Sequence, residues 1–462
     1  MKIYNINPEL QKNIWMEMSL HRLIIMPAII GSIFFLSYLI NDNFKEFIKN
    51  IGDLSIVIFI ILVLFWGTKL ASEAIISEVN DRTWDSQKMT TIGPFAMSMG
   101  KLLGSTILSW YGGLFCLIAY FISCFFKPST INYLKLMVIM ILMALFCHAM
   151  TISFSLVGIR KTKGDKKLNS GIYFLLGFII AIGFITPWSK ELLDSPLSIQ
   201  WYYLKISLID LAVFTSIIFS FWALFGLYRN MRAELQIENG PITWLLFLLT
   251  LIFYFSGYIA NINKNISYID RFLYGFYISF SITWISTYVM AFGESKNSVI
   301  IRFLIDKIKK REWKPFFYYI PLWAVSLFLS IFIYFLIFTF SFRINSEDIS
   351  VINKTFSNSS LYLFNLLCFQ LRDIGIIIFL NLKSGKEEKG DIAAFIYLLI
   401  LYALIPSLIS GADFKKILPV FLPLFEKNIF YGTLPILLQV FIIFLMCYIR
   451  WINLSKIPNN KN

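Results

Sequence analysis

The stretch Ser72–Lys101, SEAIISEVNDRTWDSQKMTTIGPFAMSMGK, separates two long apolar runs of the chain. Its acidic and basic residues alternate, whereas a loop that only anchors to lipid headgroups is simply basic. Apolar residues recur among these charges at helical spacing, which predicts a short amphipathic helix over residues 73–92 at a membrane surface. Pro94 suits the first position of the next helix, where a backbone N–H is not needed. We interpret this stretch as one that is recognised by something other than lipid.

The composition around this stretch is that of a membrane protein. Apolar residues make up 58% of the chain and charged residues only 15%, against about 25% charged residues in soluble domains. The apolar runs approach the roughly 20 residues that a helix needs to cross a bilayer, and only helices and closed barrels satisfy the backbone in lipid. The short alternating segments of a barrel are absent. The sequence therefore predicts an all-α integral membrane protein.

We predict about twelve transmembrane helices, arranged as two parallel six-helix repeats. The predicted spans are residues 23–40, 54–72, 96–126, 133–158, 171–187, 205–228, 242–260, 271–292, 317–341, 360–381, 392–410 and 432–452. Two proline-containing, semi-apolar regions between spans, residues 187–204 and 411–431, are interpreted as re-entrant pieces, interfacial pieces or open loops.

Four landmarks of the first half recur at one offset, 294 − 73 = 221 residues. The pairs are Glu73 with Glu294, Pro94 with Pro315, Gly164 with Gly385, and Arg229 with Arg450. They divide the chain into two six-span membrane units, residues 1–230 and 231–462. Since six is even, both units are expected to run through the membrane in the same direction.

Lysine and arginine concentrate in alternate loops, at residues 160–167, 302–314 and 383–389. By the positive-inside rule these loops face the cytoplasm, so both termini are predicted to be cytoplasmic in a multi-pass protein of the inner or plasma membrane. Contact of these loops with membrane lipid accounts for the net charge of +14. Nucleic acid is not an expected partner, because no basic soluble domain exists to bind it.

The sequence offers little for catalysis. Gly100-Lys101 continues into Leu102, and Gly385-Lys386 into Glu387, so no phosphate-binding loop is formed and the chain is not expected to hydrolyse nucleotide itself. Five cysteines without paired spacing and two histidines predict no disulfide, no metal and no cofactor.

Arg372 and Asp373 fall in the middle of a predicted span, where each charge costs about 2.5–3.5 kcal/mol unless it is paired or hydrated. Adjacent helical residues point about 100° apart, so the two need not pair with each other. They could form a polar site on a transport path, a structural tether to a neighbouring helix, or charges that snorkel toward an end of the span.

The counterpart of the opening stretch in the second half is residues 294–315, ESKNSVIIRFLIDKIKKREWKP. One helical face of this segment is apolar, and basic residues lie on the others. This pattern favours a membrane-surface anchor.

A six-span unit, a polar N-terminal lead and the segment SEVNDRTWDSQKMTTIGP followed by GKLLGS resemble the permeases of the ABC-2 type, the membrane subunits of ATP-binding-cassette exporters. The resemblance implies a coupling helix after the second span that docks onto an ATPase subunit, followed by a proline and the Gly100-Lys101 pair. The coupling residues that it implies are Glu73, Glu78, Asp81, Arg82, Thr83, Trp84, Asp85 and Pro94, with Glu294 in the second half.

This chain departs from that family in holding two units, and its second copy keeps little beyond Glu294, Trp313 and Pro315. The resemblance then implies one chain with two ABC ATPase subunits, which hydrolyse ATP and drive an unidentified substrate between the halves. An aromatic-rich bundle with few central charges is compatible with an amphipathic or lipid-like substrate. A secondary carrier of the major-facilitator kind is the alternative, since Asp81-Arg82 echoes its motif, although Asp85 stands where a basic residue is expected. A structural or assembly protein is a third class that stays open.

Overall fold

The computed structural model describes residues 7–41, 43–161, 167–185, 198–261, 268–294, 296, 298–344, 352–382, 387–411, 415–424 and 432–455. In these ranges the chain is almost entirely helical, and the two strands, β1 (Ser198–Trp201) and β2 (Leu204–Ser207), form one hairpin. Eleven of the described helices are long and apolar enough to cross a membrane. The predicted all-α membrane fold is confirmed.

The chain divides into two compact units. The first comprises residues 1–199 and 204–239, and the second comprises residues 200–203 and 240–462. The helices of the first unit are α1 (Pro8–Glu17), α2 (Leu20–Ile40), α3 (Phe44–Phe59), α4 (Gly67–Asn80), α5 (Trp84–Lys88), α6 (Pro94–Ser105), α7 (Ile107–Cys124), α8 (Thr130–Lys161), α9 (Ser170–Ile185) and α10 (Leu208–Glu234).

The second unit contains helices and two kinds of irregular helical turn. The helices are α11 (Ile242–Ser256), α12 (Tyr268–Gly293), α13 (Ser298–Lys309), α14 (Trp313–Tyr319), α15 (Leu322–Ile344), α16 (Ile352–Asn381), α17 (Glu387–Leu399), α18 (Ile405–Gly411) and α19 (Leu434–Ser455). The turns are 3₁₀ at Gly257–Asn261 and Lys415–Val420, and π-helical at Ile400–Leu404.

Some limits of long helices in the two halves of the chain also differ by about 221 residues. Helix α8 begins at Thr130 and ends at Lys161, which the offset maps to 351 and 382, and α16 covers Ile352–Asn381. Helix α10 ends at Glu234, which maps to 455, the last residue of α19.

Two predicted spans have different limits in the structure. The second span is longer, since α3, a π-helical turn at Ile60–Trp66 and α4 form one continuous helix of 37 residues. The predicted span at 96–126 is wrong as a single helix, because α6 and α7 are separate. The break lies at Thr106, whose hydroxyl donates to the Leu102 carbonyl at 2.7 Å, and such back-bonding bends helices.

Three further predictions are answered in part by the structure. The span predicted at 171–187 corresponds to α9, which is apolar but is not among the eleven described helices that are long enough to cross a membrane. Residues 198–204 of the region 187–204 lie in the hairpin, and residues 415–420 of the region 411–431 form a 3₁₀ turn. Residues 186–197, 412–414 and 425–431 lie outside the described part of the chain.

The core of the first unit forms around α8, whose Ile139, Cys147 and Ile152 are fully buried. Close helix contact in this unit depends on small residues. A Cβ placed on Gly113 of α7 would lie 2.5 Å from a methyl of Val63, so only glycine lets these helices approach so closely. This packing fixes the end of α4 and the beginning of α6, and the polar segment lies between these two helix ends.

A candidate docking site in the first unit

The segment between α4 and α6 is a helix end, a tight turn and a short helix. The prediction of one independent amphipathic helix over residues 73–92 is wrong, because α4 continues the second span as far as Asn80 and α5 covers only Trp84–Lys88. Arg82 has a φ of 60°, in the left-handed region, and reverses the chain between the two helices. Residues 81–93 are called the docking loop below.

Five polar residues from four helices meet beneath the docking loop and are called the brace cluster. They are Glu9 and Lys12 of α1, Glu78 of α4, Gln87 of α5 and Lys101 of α6. At the centre is the Lys101 ammonium group, whose side chain is 1% exposed. Its Nζ lies 2.7 Å from Glu9 Oε1, pairs with the Glu78 carboxylate and donates to Gln87 Oε1 at 3.0 Å.

A second amine completes the brace cluster. Lys12 Nζ lies 3.1 Å from Glu78 Oε1 and 3.3 Å from Glu9 Oε1, while Gln87 Nε2 donates to Glu78 Oε1 at 2.7 Å. Two carboxylates are thus balanced by two amines, with one amide between them. Such neutralisation is what permits charged groups to lie away from water.

The electrostatics of Glu9 and Lys12 favour the charged forms of these two side chains at neutral pH. Burial raises the pKa of Glu9, but the hydrogen bond and charge of Lys101, aided by Lys12, outweigh burial and hold that pKa below its usual range. Burial lowers the pKa of Lys12, and the Glu78 and Glu9 carboxylates outweigh it, so the net shift is upward.

Helix α1 lies directly against α6 because two glycines face it. A Cβ on Gly100 would lie 2.6 Å from Glu9 Cβ and 3.0 Å from the Leu10 backbone nitrogen, and one on Gly104 would lie 2.6 Å from Asn13 Cβ. This close approach lets the Asn13 amide donate to the Gly100 carbonyl at 3.3 Å. Gly100 thus leaves room for α1 to pack closely, and Lys101 binds α1 through Glu9.

Trp84 holds the short helix α5 from the other side. Its side chain is 3% exposed, and the indole Nε1 donates to Glu234 Oε1 at the end of α10, at 3.1 Å. Lys88 Nζ lies 3.4 Å from the same oxygen and 2.8 Å from Asp85 Oδ1. Helix α5 is therefore fixed to α10 through Glu234 and to α4 and α6 through the brace cluster.

The structure separates the predicted coupling residues into two groups. Glu78 and Trp84 point inward, Glu73 is half-buried on α4, and Pro94 is the first residue of α6, as its type predicts. The exposed ones form a ridge with the side chain of Met89, which is 88% exposed. This exposed ridge consists of Asp81, Arg82, Thr83, Asp85 and Met89.

Among the described residues, no such brace lies at the positions that the 221-residue offset assigns to it. Glu294 accepts hydrogen bonds from the backbone nitrogens of Leu322 and Trp323, at 3.0 and 3.3 Å, and so caps the beginning of α15. Adding 221 to each brace position gives residues without ionisable side chains. These are Asn230, Ala233, Val299, Ile308 and Leu322.

Arg372 and Asp373, the predicted intramembrane site, lie on α16, and each is 1% exposed. The sequence did not require these neighbours to pair, but in the structure they do. Arg372 Nη2 and Nε lie 2.8 and 2.9 Å from Asp373 Oδ1. Arg372 Nη1 donates to Gln439 Oε1 of α19 at 2.9 Å, and its guanidinium carbon lies 4.7 Å from the centre of the Phe369 ring.

The second carboxylate oxygen of Asp373 reaches two further helical segments. Tyr288 of α12 and Tyr402 of the π-helical turn donate their hydroxyls to Oδ2, at 2.8 and 2.6 Å. The ion pair is therefore neutralised and joined to three neighbouring segments of the second unit. This geometry meets the requirements of a tether, and the role in transport stays a prediction.

Sequence reasoning missed Glu9, Lys12 and Gln87 of the brace cluster. It also missed Glu234, which accepts from Trp84 and pairs with Lys88. For α1 a signal existed, because Asn7-Pro8 is a helix start, and the Asn7 side chain does accept from the Glu9 and Leu10 nitrogens. For Glu234 no local signal exists, since it lies 150 residues from Trp84.

No protein-family model, curated protein or solved structure matches this chain. Its described features are those of a multi-pass helical membrane protein.

Proposed function

We propose that the chain is the membrane-spanning permease component of an ATP-binding-cassette exporter, driven by separate ATPase subunits that dock on the exposed ridge. The chain itself would not be an enzyme. The observation that carries this proposal is the contrast within one short segment, whose inner side is fixed by the brace cluster and Glu234 while its outer side is exposed.

Mechanical coupling requires this kind of support. A force applied to the docking loop passes to α4 through Glu78, to α6 through Lys101 and to α10 through Glu234. Because α4 continues the second span without interruption, a displacement of the loop would move that span as a rigid body. A loop without such anchors would deform instead.

The chemistry of the exposed ridge describes the partner surface. Asp81 and Asp85 offer carboxylates at the rim, and Met89 offers a flexible apolar side chain that suits a hydrophobic pocket. We therefore expect an ATPase surface with an apolar pocket and basic residues beside it. The cargo would be amphipathic or lipid-like, and one chain would bind two ATPase subunits.

The test is co-expression of the full chain with the ATP-binding-cassette ATPase encoded beside it or co-purifying with it, followed by measurement of binding and stimulated hydrolysis. Asp81→Lys and, separately, Met89→Asp should each weaken docking by roughly tenfold, about 1–2 kcal/mol. Glu46→Lys, a charge reversal at another exposed position of the first unit, is the matched control and should leave docking unchanged. Unchanged ATPase stimulation in both ridge variants would refute the docking site.

The carrier alternative has one observation in its favour, the buried mid-span carboxylate of Asp373. It predicts substrate movement that follows a proton gradient in vesicles without any ATPase. ATP-dependent movement that needs the partner and ignores the gradient supports the exporter.

A further inference from the structure

The second unit contains an exposed corner whose chemistry differs from that of the docking loop. Helix α13 ends at Lys309, Arg311 adopts a φ of 56°, and α14 begins at Trp313. The rings of Phe303 and Tyr319 meet edge to face at 5.0 Å, so the two helices are packed together. Residues 298–319 are called the basic corner.

The basic corner is strongly positive. It holds six lysines and arginines and two acidic residues, 6 − 2 = +4, whereas the corresponding residues 77–98 hold two basic and three acidic residues, 2 − 3 = −1. Lys307 and Lys310 form surface ion pairs with the two acids, at 2.5 and 2.8 Å. Lys309, Arg311 and Lys314 are exposed and form no ion pair within the described residues.

Apolar side chains lie exposed beside these charges. Val299 is 65% exposed, Ile308 45%, Trp313 53% and Phe317 59%. Only two residues separate the end of α14 from α15, which is a membrane span, so the end of the corner at Tyr319 lies within about 11 Å of where that span begins. Aromatic residues at this level are typical of the membrane interface, and exposed cations beside an apolar face are typical of helices that lie in it.

We infer that the basic corner is a binding site for anionic phospholipid. Its apolar side chains enter the headgroup region while Lys309, Arg311 and Lys314 contact lipid phosphates. The two halves of the chain then use equivalent segments for different partners, a protein in the first and lipid in the second. This inference stands on the charges and exposure of the second unit and does not depend on an ATPase.

The experiment compares the full-length protein in phosphatidylcholine nanodiscs with and without phosphatidylglycerol, by hydrogen exchange over residues 298–319. Phosphatidylglycerol should slow exchange there severalfold, and added salt should remove this effect, because salt screens the attraction. The variant Lys309→Gln/Arg311→Gln/Lys314→Gln should lose the difference between the two lipids. Lys45→Gln/Lys49→Gln/Lys205→Gln removes the same charge from other exposed positions and should keep it.

Two results would overturn the inference. One is wild-type exchange that is the same in both lipids, which needs no variant and so cannot be blamed on misfolding. The other is a triple variant that keeps the phosphatidylglycerol effect while exchange over α12 and α16 shows it to be folded. A triple variant that loses ATPase stimulation but keeps its lipid response would assign the corner to a protein partner instead.

Discussion

At the scale of single residues, Lys101 is the central cation of the brace cluster, since it contacts Glu9, Glu78 and Gln87. Lys101→Met would leave Glu9 and Glu78 facing each other without their central cation, and removing one partner of a buried ion pair typically costs about 3–5 kcal/mol. We expect hydrogen exchange in α1 to accelerate accordingly. Lys12→Met is the control, since that side chain is 38% exposed and its loss should cost below about 1 kcal/mol. If the two substitutions accelerate hydrogen exchange in α1 equally, the buried Lys101 amine contributes no more to the attachment of α1 than the exposed Lys12 amine does.

The charge of Glu9 makes the attachment of α1 depend on pH. Because the pKa of Glu9 is lowered in the folded chain, its stabilising effect is present above the ordinary glutamate pKa of 4.5 and is lost as the pH falls through the lower folded value. We expect α1 to be released in acid, measured as faster exchange over Pro8–Glu17. In Glu9→Gln the attachment should be weaker at neutral pH and less sensitive to acid. A steep acid response that survives in this variant would assign the effect to another group.

Arg372 and Asp373 call for a double-mutant cycle. Arg372→Leu and Asp373→Leu each leave one buried charge without its partner, so each should destabilise the protein by about 3–5 kcal/mol, whereas the double variant should recover about 1–3 kcal/mol of the summed loss. Thermal unfolding of the full chain in detergent is the measurement. Additive losses would mean that the ion pair observed at 2.8 Å contributes nothing. Normal transport by well-expressed Arg372→Leu protein would leave only the structural role.

At the scale of helices, the sequence predicted most spans, because long apolar runs have few alternatives in lipid. It could not locate the end of α4, since residues 73–80 suit both a span extension and a surface helix. It also could not separate α6 from α7, because the break at Thr106 depends on a local hydroxyl contact. The inward orientation of Trp84 depends on Glu234, and no local pattern joins residues so far apart in sequence.

Contact between α1 and α6 should be sensitive to one methyl group. Gly100→Ala would place a Cβ against the Leu10 backbone, which can yield only if α1 moves, and overpacking of this kind costs about 1–3 kcal/mol. We expect increased tryptic cleavage of α1 and weaker ATPase stimulation. Gly31→Ala is the matched control, since Gly31 lies inside helix α2, away from the docking loop, and a Cβ there meets nothing within 4 Å. Intact α1 in Gly100→Ala protein would contradict the close approach.

At the scale of the whole molecule, the two compact units carry two different surfaces. If the proposals for both units hold, Asp81→Lys should lower ATPase docking without changing the lipid response, and the triple glutamine variant of the basic corner should do the reverse. Their combination should show both defects at the sizes seen singly, because the sites share no residue. Measuring both properties in all three variants checks this. A defect in the combined protein that exceeds the two single effects would show that the sites are coupled.

The brace cluster also sets an order of events during synthesis. Helix α1 leaves the ribosome long before its binding surface exists, since Asn7 bonds to the Ala96 carbonyl 89 residues later in the chain. Until α6 emerges, α1 lacks the helix against which it packs in the folded chain. Its capture by Gly100 and Lys101 therefore requires that the chain has been made as far as α6, so the attachment of α1 follows the synthesis of the first two spans.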